Sequence, residues 1–196
     1  MAFAGTASHE HLRGRTEEFS EEFLHWAAKT RDGNPAEEVT TFDALAAALE
    51  HDGQSLAVDW PYTDTNDHRA PGYGPTSEAM ANARVRRCLG TMIPPTFPAL
   101  ISALDAGVVP IVGVVLYRTW HDTDRDGIIA LPSDPSLYMG GHAVAVVGYR
   151  DQTQPTQLIV RNSWGTDWGD QGYGYLSRDY VSLYGLAAWQ PVTTAA

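Results

Sequence analysis

Residues 140–176 read GGHAVAVVGYRDQTQPTQLIVRNSWGTDWGDQGYGYL, and the fold turns on them. His142 opens an apolar run, 143–147, with the composition of a buried strand. Residues 151–156 form a polar turn containing Pro155, and 157–160 make a second short strand. Asn162 follows at once. Antiparallel pairing across that turn predicts that His142 and Asn162 meet at one end of the two strands. An amide oxygen beside an imidazole can fix its tautomer and leave the other ring nitrogen to take a proton from a nucleophile.

This stretch resembles the C-terminal half of papain-like cysteine peptidases. The matching residues are GGHAVAVVGY around His142, NSWG from Asn162 to Gly165, WG at Trp168 and Gly169, and GYGYL from Gly172. The resemblance implies His142 as catalytic base and Asn162 as its orienter. It implies Trp164 as a shield over their hydrogen bond, Trp168 in the wall on the leaving-group side, and Gly141 beside the base in the substrate cleft. The family's nucleophile is a Cys at the start of a helix. Met1-Ala2-Phe3-Ala4 matches the segment directly after that Cys, so the expectation is a chain that begins one residue too late. The oxyanion-hole Gln of the family would lie further upstream. A misassigned GTG start codon, written as Met1, would account for both.

Working outward, Ala2–Leu12 is predicted as a first helix with Phe3, Ala7 and His11 on one face, Ala4 and Leu12 beside it, and Gly14 as its stop. Residues 20–29 form a second helix capped by Ser20, with Phe19, Phe23, Trp26 and Ala27 as its stripe. Residues 41–51 form a third, with Thr40 and Asp43 as a capping box and Asp52-Gly53 as its end. Asp59-Trp60-Pro61-Tyr62 resembles an acidic-x-x-Tyr-Pro-Tyr segment of the family. Asp32-Gly33-Asn34-Pro35, then Glu37 and Glu38, stand where many members carry a cleft-lining Gly-Gly pair, so that binding element is not carried over. Residues 64–76 are a surface loop. Residues 84–92 are ambiguous. Residues 96–105 form a helix capped by Thr96 with Pro98 in its first turn, and 108–116 a buried strand with Pro110 near its start or at an edge.

The sum is α+β: a helical half to about residue 95, then an antiparallel sheet or barrel to residue 196, read as one papain-like domain incomplete at its start. By the resemblance, the active site is a cleft between the halves. A chain of 196 residues can bury a real core. Net charge is −11, from 24 acidic and 13 basic residues, and no basic patch stands out. That argues against nucleic acid as partner. No apolar run is long enough for a membrane span, and no targeting signal follows Met1. Lys29 is the only lysine, a bias expected of a high-GC bacterial coding sequence. With one cysteine no intrachain disulfide can form, which favours a reducing, cytoplasmic setting.

That cysteine, Cys88, lies far beyond the first helix in no family motif, and reads as structural. Asp122, Asp124, Asp126 and Gly127 match the opening of a calcium loop, but its twelfth position is Ser133 where a bidentate Glu is needed. An acidic surface turn is the reading. His9 and His11 lack metal-protease spacing, and His25, His51, His68 and His121 stand alone. No cofactor or metal is implied. The resemblance implies hydrolysis of peptide bonds in a peptide or protein substrate, through a Cys that this chain lacks, so the chain itself is expected to be inactive. The alternatives are a pseudopeptidase that binds peptides or acts as a scaffold, and a cysteine acyltransferase or amidase with the same catalytic set.

Overall fold

A computed structural model of the chain describes residues 1–34, 38–63, 70, 72–151 and 156–192. The interior of the 151–156 turn with Pro155, most of the 64–76 loop with His68, and Pro35 and Glu37 of the Gly-Gly departure lie outside the described residues. The chain divides into two compact units, Met1–Thr91 with Pro191–Ala196, and Met92–Gln190. No helix among the described residues is long and apolar enough to cross a membrane.

Among its described residues the first unit carries four helices, α1 (Ala2–Leu12), α2 (Glu21–Asp32), α3 (Phe42–His51) and α4 (Ser77–Arg84). Ser20 caps α2, its hydroxyl accepting from the Phe23 amide at 2.9 Å, and Gly33 closes it in the left-handed region (φ +69°). The helix runs three residues past the expected end. In α3 the cap is Thr41, accepting from the Ala44 amide at 3.1 Å, and not Thr40. Two adjacent threonines offer the same side chain one residue apart, and the helix frame uses the second. Phe19, Phe23, Leu24, Leu45 and Leu49 are fully buried, each stabilising the unit by roughly 1.5–3 kcal/mol. Helix α1 departs from the expected stripe. Phe3 is exposed, while Ala2 and every residue from Ala4 to His9 are buried. The helix is packed through small residues, and at Gly5 an added Cβ would come within 3.0–3.1 Å of Leu24 and Leu45.

The second unit is built on an antiparallel sheet. The strands are β1 (Gly90–Ile93), β2 (Ile111–Tyr117), β3 (Tyr138–Arg150), β4 (Gln157–Arg161), β5 (Tyr173–Ser177) and β6 (Gly185–Pro191), in the order β1-β6-β2-β3-β4-β5, with Gly90, Thr91 and Pro191 counted in the first unit. Helices α5 (Phe97–Asp105) and α6 (Arg178–Tyr184) pack on it. Val112 and Val114, Val144 and Val146, and Leu158 and Val160 alternate onto one face and bury it with Phe97, Leu100, Tyr180 and Val181. Thr96 holds the N-cap position of α5 without a side-chain hydrogen bond. Strand β2 begins three residues later than expected, because Pro110 has no amide to donate. Its carbonyl instead accepts from Val146 at 2.8 Å. Strand β3 extends four residues ahead of His142, so the histidine sits inside the strand and not at its start.

Candidate active site

Strands β3 and β4 pair with Ala145 opposite Arg161. His142 therefore lies three residues beyond the last paired position of β3, and Asn162 one beyond that of β4. By strand alternation His142 shares a face with Val144 and Val146, and Asn162 shares it with Leu158 and Val160. The two side chains meet diagonally. His142 Nε2 lies 2.8 Å from Asn162 Oδ1. Backbone bonds hold the far side: the Asn162 amide donates to Gly172 at 3.0 Å, and Gly172 to Trp168 at 2.8 Å.

The protonation pattern follows from one further bond. The Ser163 amide donates to Asn162 Oδ1 at 2.8 Å. An amide N–H can only donate, so that Asn atom is the oxygen and has to accept from the histidine as well. The hydrogen on neutral His142 is then on Nε2, and Nδ1 keeps the lone pair. Nδ1 has no hydrogen-bond partner among the described residues. Asn162 Nδ2 is buried with no acceptor, a polar cost the arrangement carries.

Aromatic rings enclose the pair. Trp164 lies 5.1 Å from the His142 ring, and Trp120 approaches it edge-on at 5.5 Å. Trp168 stacks on Trp120 at 6.0 Å and meets Trp164 edge-on at 5.7 Å. Its Nε1 donates to the Trp120 carbonyl at 2.6 Å, while Trp120 Nε1 donates to the Tyr180 hydroxyl at 2.9 Å. The hydroxyl in turn donates to the Val115 carbonyl at 2.9 Å. The glycines of the motif make this packing possible. A Cβ at Gly174 would stand 2.7 Å from Trp168 Cη2, and one at Gly169 (φ +56°) 2.4 Å from the Tyr173 carbonyl. Burial among these rings pulls the His142 pKa down to about 4, against the Asn162 hydrogen bond that raises it, and the charge of His121 lowers it further. The imidazole is neutral at neutral pH and held in one tautomer, with its Nδ1 lone pair free of a proton.

Of the residues predicted for the site, His142, Asn162, Trp164 and Trp168 converge, and Gly141 flanks His142 on exposed strand opposite Val115. Trp120, His121 and Tyr180 belong to the cluster and were not singled out by the sequence. His121 stacks on Trp164 at 4.4 Å and 13°. Cys88 lies in the first unit, buried, with its thiol toward the Leu89 carbonyl at 3.6 Å and its pKa pushed up to about 12 by burial. In the 122–127 turn, Asp124 and Asp126 accept from the amides of Asp126 and Ile128 at 3.0 and 2.7 Å. Among the described residues no three His, Cys, Asp or Glu side chains are grouped to hold a metal ion.

An antiparallel sheet carrying a His–Asn pair under tryptophans, with an all-helical unit ahead of it in the chain, defines a class, and comparison with known proteins agrees. The papain family cysteine protease profile matches residues 40–192, and the chain belongs to that family. Among curated relatives, an uncharacterized peptidase C1-like protein of Acanthamoeba polyphaga mimivirus is 30% identical over 114 residues, covering 57% of this chain and 36% of that protein. Papain from Carica papaya is 34% identical over 85 residues, 38% of this chain and 24% of papain's. The chain thus spans about a third or less of the length of these relatives. Among solved structures, xylellain, a cysteine protease from Xylella fastidiosa, superposes with a TM-score of 0.86 at 23% identity, over 99% of this chain and 79% of that one. A Carica candamarcensis cysteine protease in complex with E-64 gives 0.71 at 22%, over 99% and 88%. At these identities the likeness establishes the papain-like α+β fold.

Proposed function

We propose that the domain is built for cysteine-type proteolysis, with His142 as general base and then general acid, and Asn162 as the residue that orients it. The substrate is a peptide or protein chain. The supporting observation is the forced tautomer: Ser163 fixes the Asn162 oxygen, the oxygen fixes the proton on Nε2, and Nδ1 is left to take a thiol proton. The imidazolium formed then protonates the leaving amine as the acyl-thioester forms, and water attacking that thioester completes hydrolysis. Trp164 keeps water from the His–Asn bond, Trp168 backs it, and Gly141 leaves the strand edge open to substrate.

The nucleophile is not Cys88. A buried thiol with a pKa near 12 supplies almost no thiolate at neutral pH. On this reading the 196-residue chain by itself does not cleave peptides, because its one cysteine is the buried Cys88. The test is to express the chain alone and a form extended by a Cys directly before Met1 with the upstream segment. Both are assayed on peptide–fluorophore substrates with a thiol reagent as control. Thiol-sensitive cleavage by the extended form alone is expected. An extended form that binds peptides without cleaving them would replace the peptidase by a binding domain.

A further inference from the structure

We propose that the pocket beside Trp164 selects a carboxylate on the bound peptide, with Arg118 and His121 as the residues that receive it. The inference rests on reading His142 and Asn162 as the centre of a peptide-binding site. The pocket holds about 370 Å³ and is lined by Arg118, His121, Leu137, Tyr138 and Met139. That is the small end of the range for ligand sites, room for a single residue and its flanking backbone.

Three features give it this chemistry. Arg118 follows β2 on a single helical turn, and its one ionic partner among the described residues is Asp122 at 3.8 Å, too long for a hydrogen bond. Its side chain is 66% exposed, so the guanidinium fork presents unused donors in the geometry that suits a carboxylate. His121 is exposed but held, since its ring lies flat on Trp164 at 4.4 Å, which fixes the direction in which its ring N–H can donate. Tyr138 and Met139, 62% and 52% exposed, form an apolar wall for the stem that carries the carboxylate.

The pocket is joined to the base through one ring. Trp164 touches His121 on one side and His142 on the other, at 4.4 and 5.1 Å. The proposal runs a peptide that reaches His142 past Trp164 into this pocket. The surrounding charge sharpens the effect. The chain carries −11 overall and disfavours anionic peptides in general, so the local Arg118 guanidinium makes the position of the carboxylate matter. Asp122 is the group that competes for Arg118. A side-chain carboxylate and a chain-terminal one offer the same two oxygens, and the second would make the site favour cleavage near a C-terminus.

The experiment measures peptide binding to the 196-residue chain by calorimetry. Capped peptides carry Glu or Gln at each position in turn, and a second set compares a free C-terminus with its amide. The expected result is one placement at which the carboxylate binds about tenfold tighter than its neutral counterpart. Arg118→Ala should bring that ratio close to one, Arg118→Lys should leave an intermediate ratio because charge remains but the fork is lost, and Asp122→Asn should raise it. Peptides that bind with no preference at any position or terminus would overturn this inference alone. A chain that binds no peptide would overturn the peptide-site reading together with it.

Discussion

Two histidines in this molecule are built alike and serve different purposes. His9, in α1 of the first unit, and His142, in β3 of the second, each bond one ring nitrogen to a side-chain amide oxygen, at 3.0 Å from Gln54 and 2.8 Å from Asn162. Burial pulls both pKa values down to about 4. In both, the amide oxygen is identified by other bonds: Gln54 Nε2 donates to Thr6 Oγ1 at 2.5 Å and to the Ser20 carbonyl at 3.0 Å, so its oxygen faces the ring. The difference lies in the second nitrogen. His9 is fully buried against Phe19 at 4.5 Å, and its Nε2 is sealed with no partner. His142 is only partly buried, and its Nδ1 is not among the sealed atoms. An imidazole–amide clasp is thus a structural part wherever its remaining lone pair is closed off, and a candidate base only where that lone pair can be reached.

The largest expected effect separates the two directly. In the Cys-carrying form, His142→Ala should lower kcat by roughly 10⁴- to 10⁶-fold, because base and nucleophile act as one unit. The fold should survive, since the removed ring is at the surface edge of the core. His9→Leu should leave the rate within a few-fold, because His9 touches none of the reacting groups. Steady-state kinetics beside thermal melts checks both, and a rate loss of similar size in His9→Leu would erase the distinction.

The second test uses pH. For both histidines the folded pKa, about 4, lies below the ordinary 6.5, so folding favours the neutral ring. Stability from this source is fully present above about pH 6.5, is lost as pH falls through the interval, and levels off below 4. Each histidine contributes a drop of up to about 3 kcal/mol, by 1.36 kcal/mol per pKa unit. Urea unfolding from pH 7.5 to 4 should show the decline, and His9→Leu should remove about half of it. A thiolate facing His142 would raise that pKa and leave His9 alone. NMR titration of the two rings in the Cys-carrying form should therefore split values that coincide in the chain without it.

Asn162→Ala gives a smaller effect, a roughly 10- to 100-fold loss of kcat, the value of one hydrogen bond to a charged ring. KM should change little. The matching change, Gln54→Ala, should cost about 1–3 kcal/mol of stability, since it strands the His9 N–H in the interior, and should not touch the rate. Equal rate losses in both variants would mean that the clasps do not differ in function.

How much of this could be read from the sequence depends on how far apart the partners lie. His142 and Asn162 are twenty residues apart on a hairpin, so strand alternation alone brought them together. Trp120 and His121 reach the same rings from the end of β2, and nothing in their own neighbourhood marks them; the same holds for Gln54, which meets His9 across forty-five residues. Helix α4 leaves no stripe in the sequence because it buries only Ala79 and Ala83. In α1 the sequence periodicity points to Phe3, which outweighs alanines on any hydrophobicity scale, whereas close packing buries the alanines and Gly5. The leading residues of β3 are exposed, so hydrophobicity could not announce them.

The smallest expected effect bears hardest on the assignment. Cys88 is 1% exposed, its amide bonded to the Leu49 carbonyl at 3.0 Å and its thiol to that of Leu89. Burial raises its pKa to about 12, so at pH 7 the thiolate fraction is on the order of 10⁻⁵, and attack by it is correspondingly suppressed. Cys88→Ser should therefore leave the activity of the Cys-carrying form unchanged, with a stability loss of about 1 kcal/mol from placing a stronger polar group in the same site. A thiol reagent should label native Cys88 slowly and label it fast once urea unfolds the chain. If Cys88→Ser instead abolished cleavage, the buried thiol would be the nucleophile. His142 would then have no claim to be the base on the evidence of its tautomer, and the contrast with His9 would fall with it.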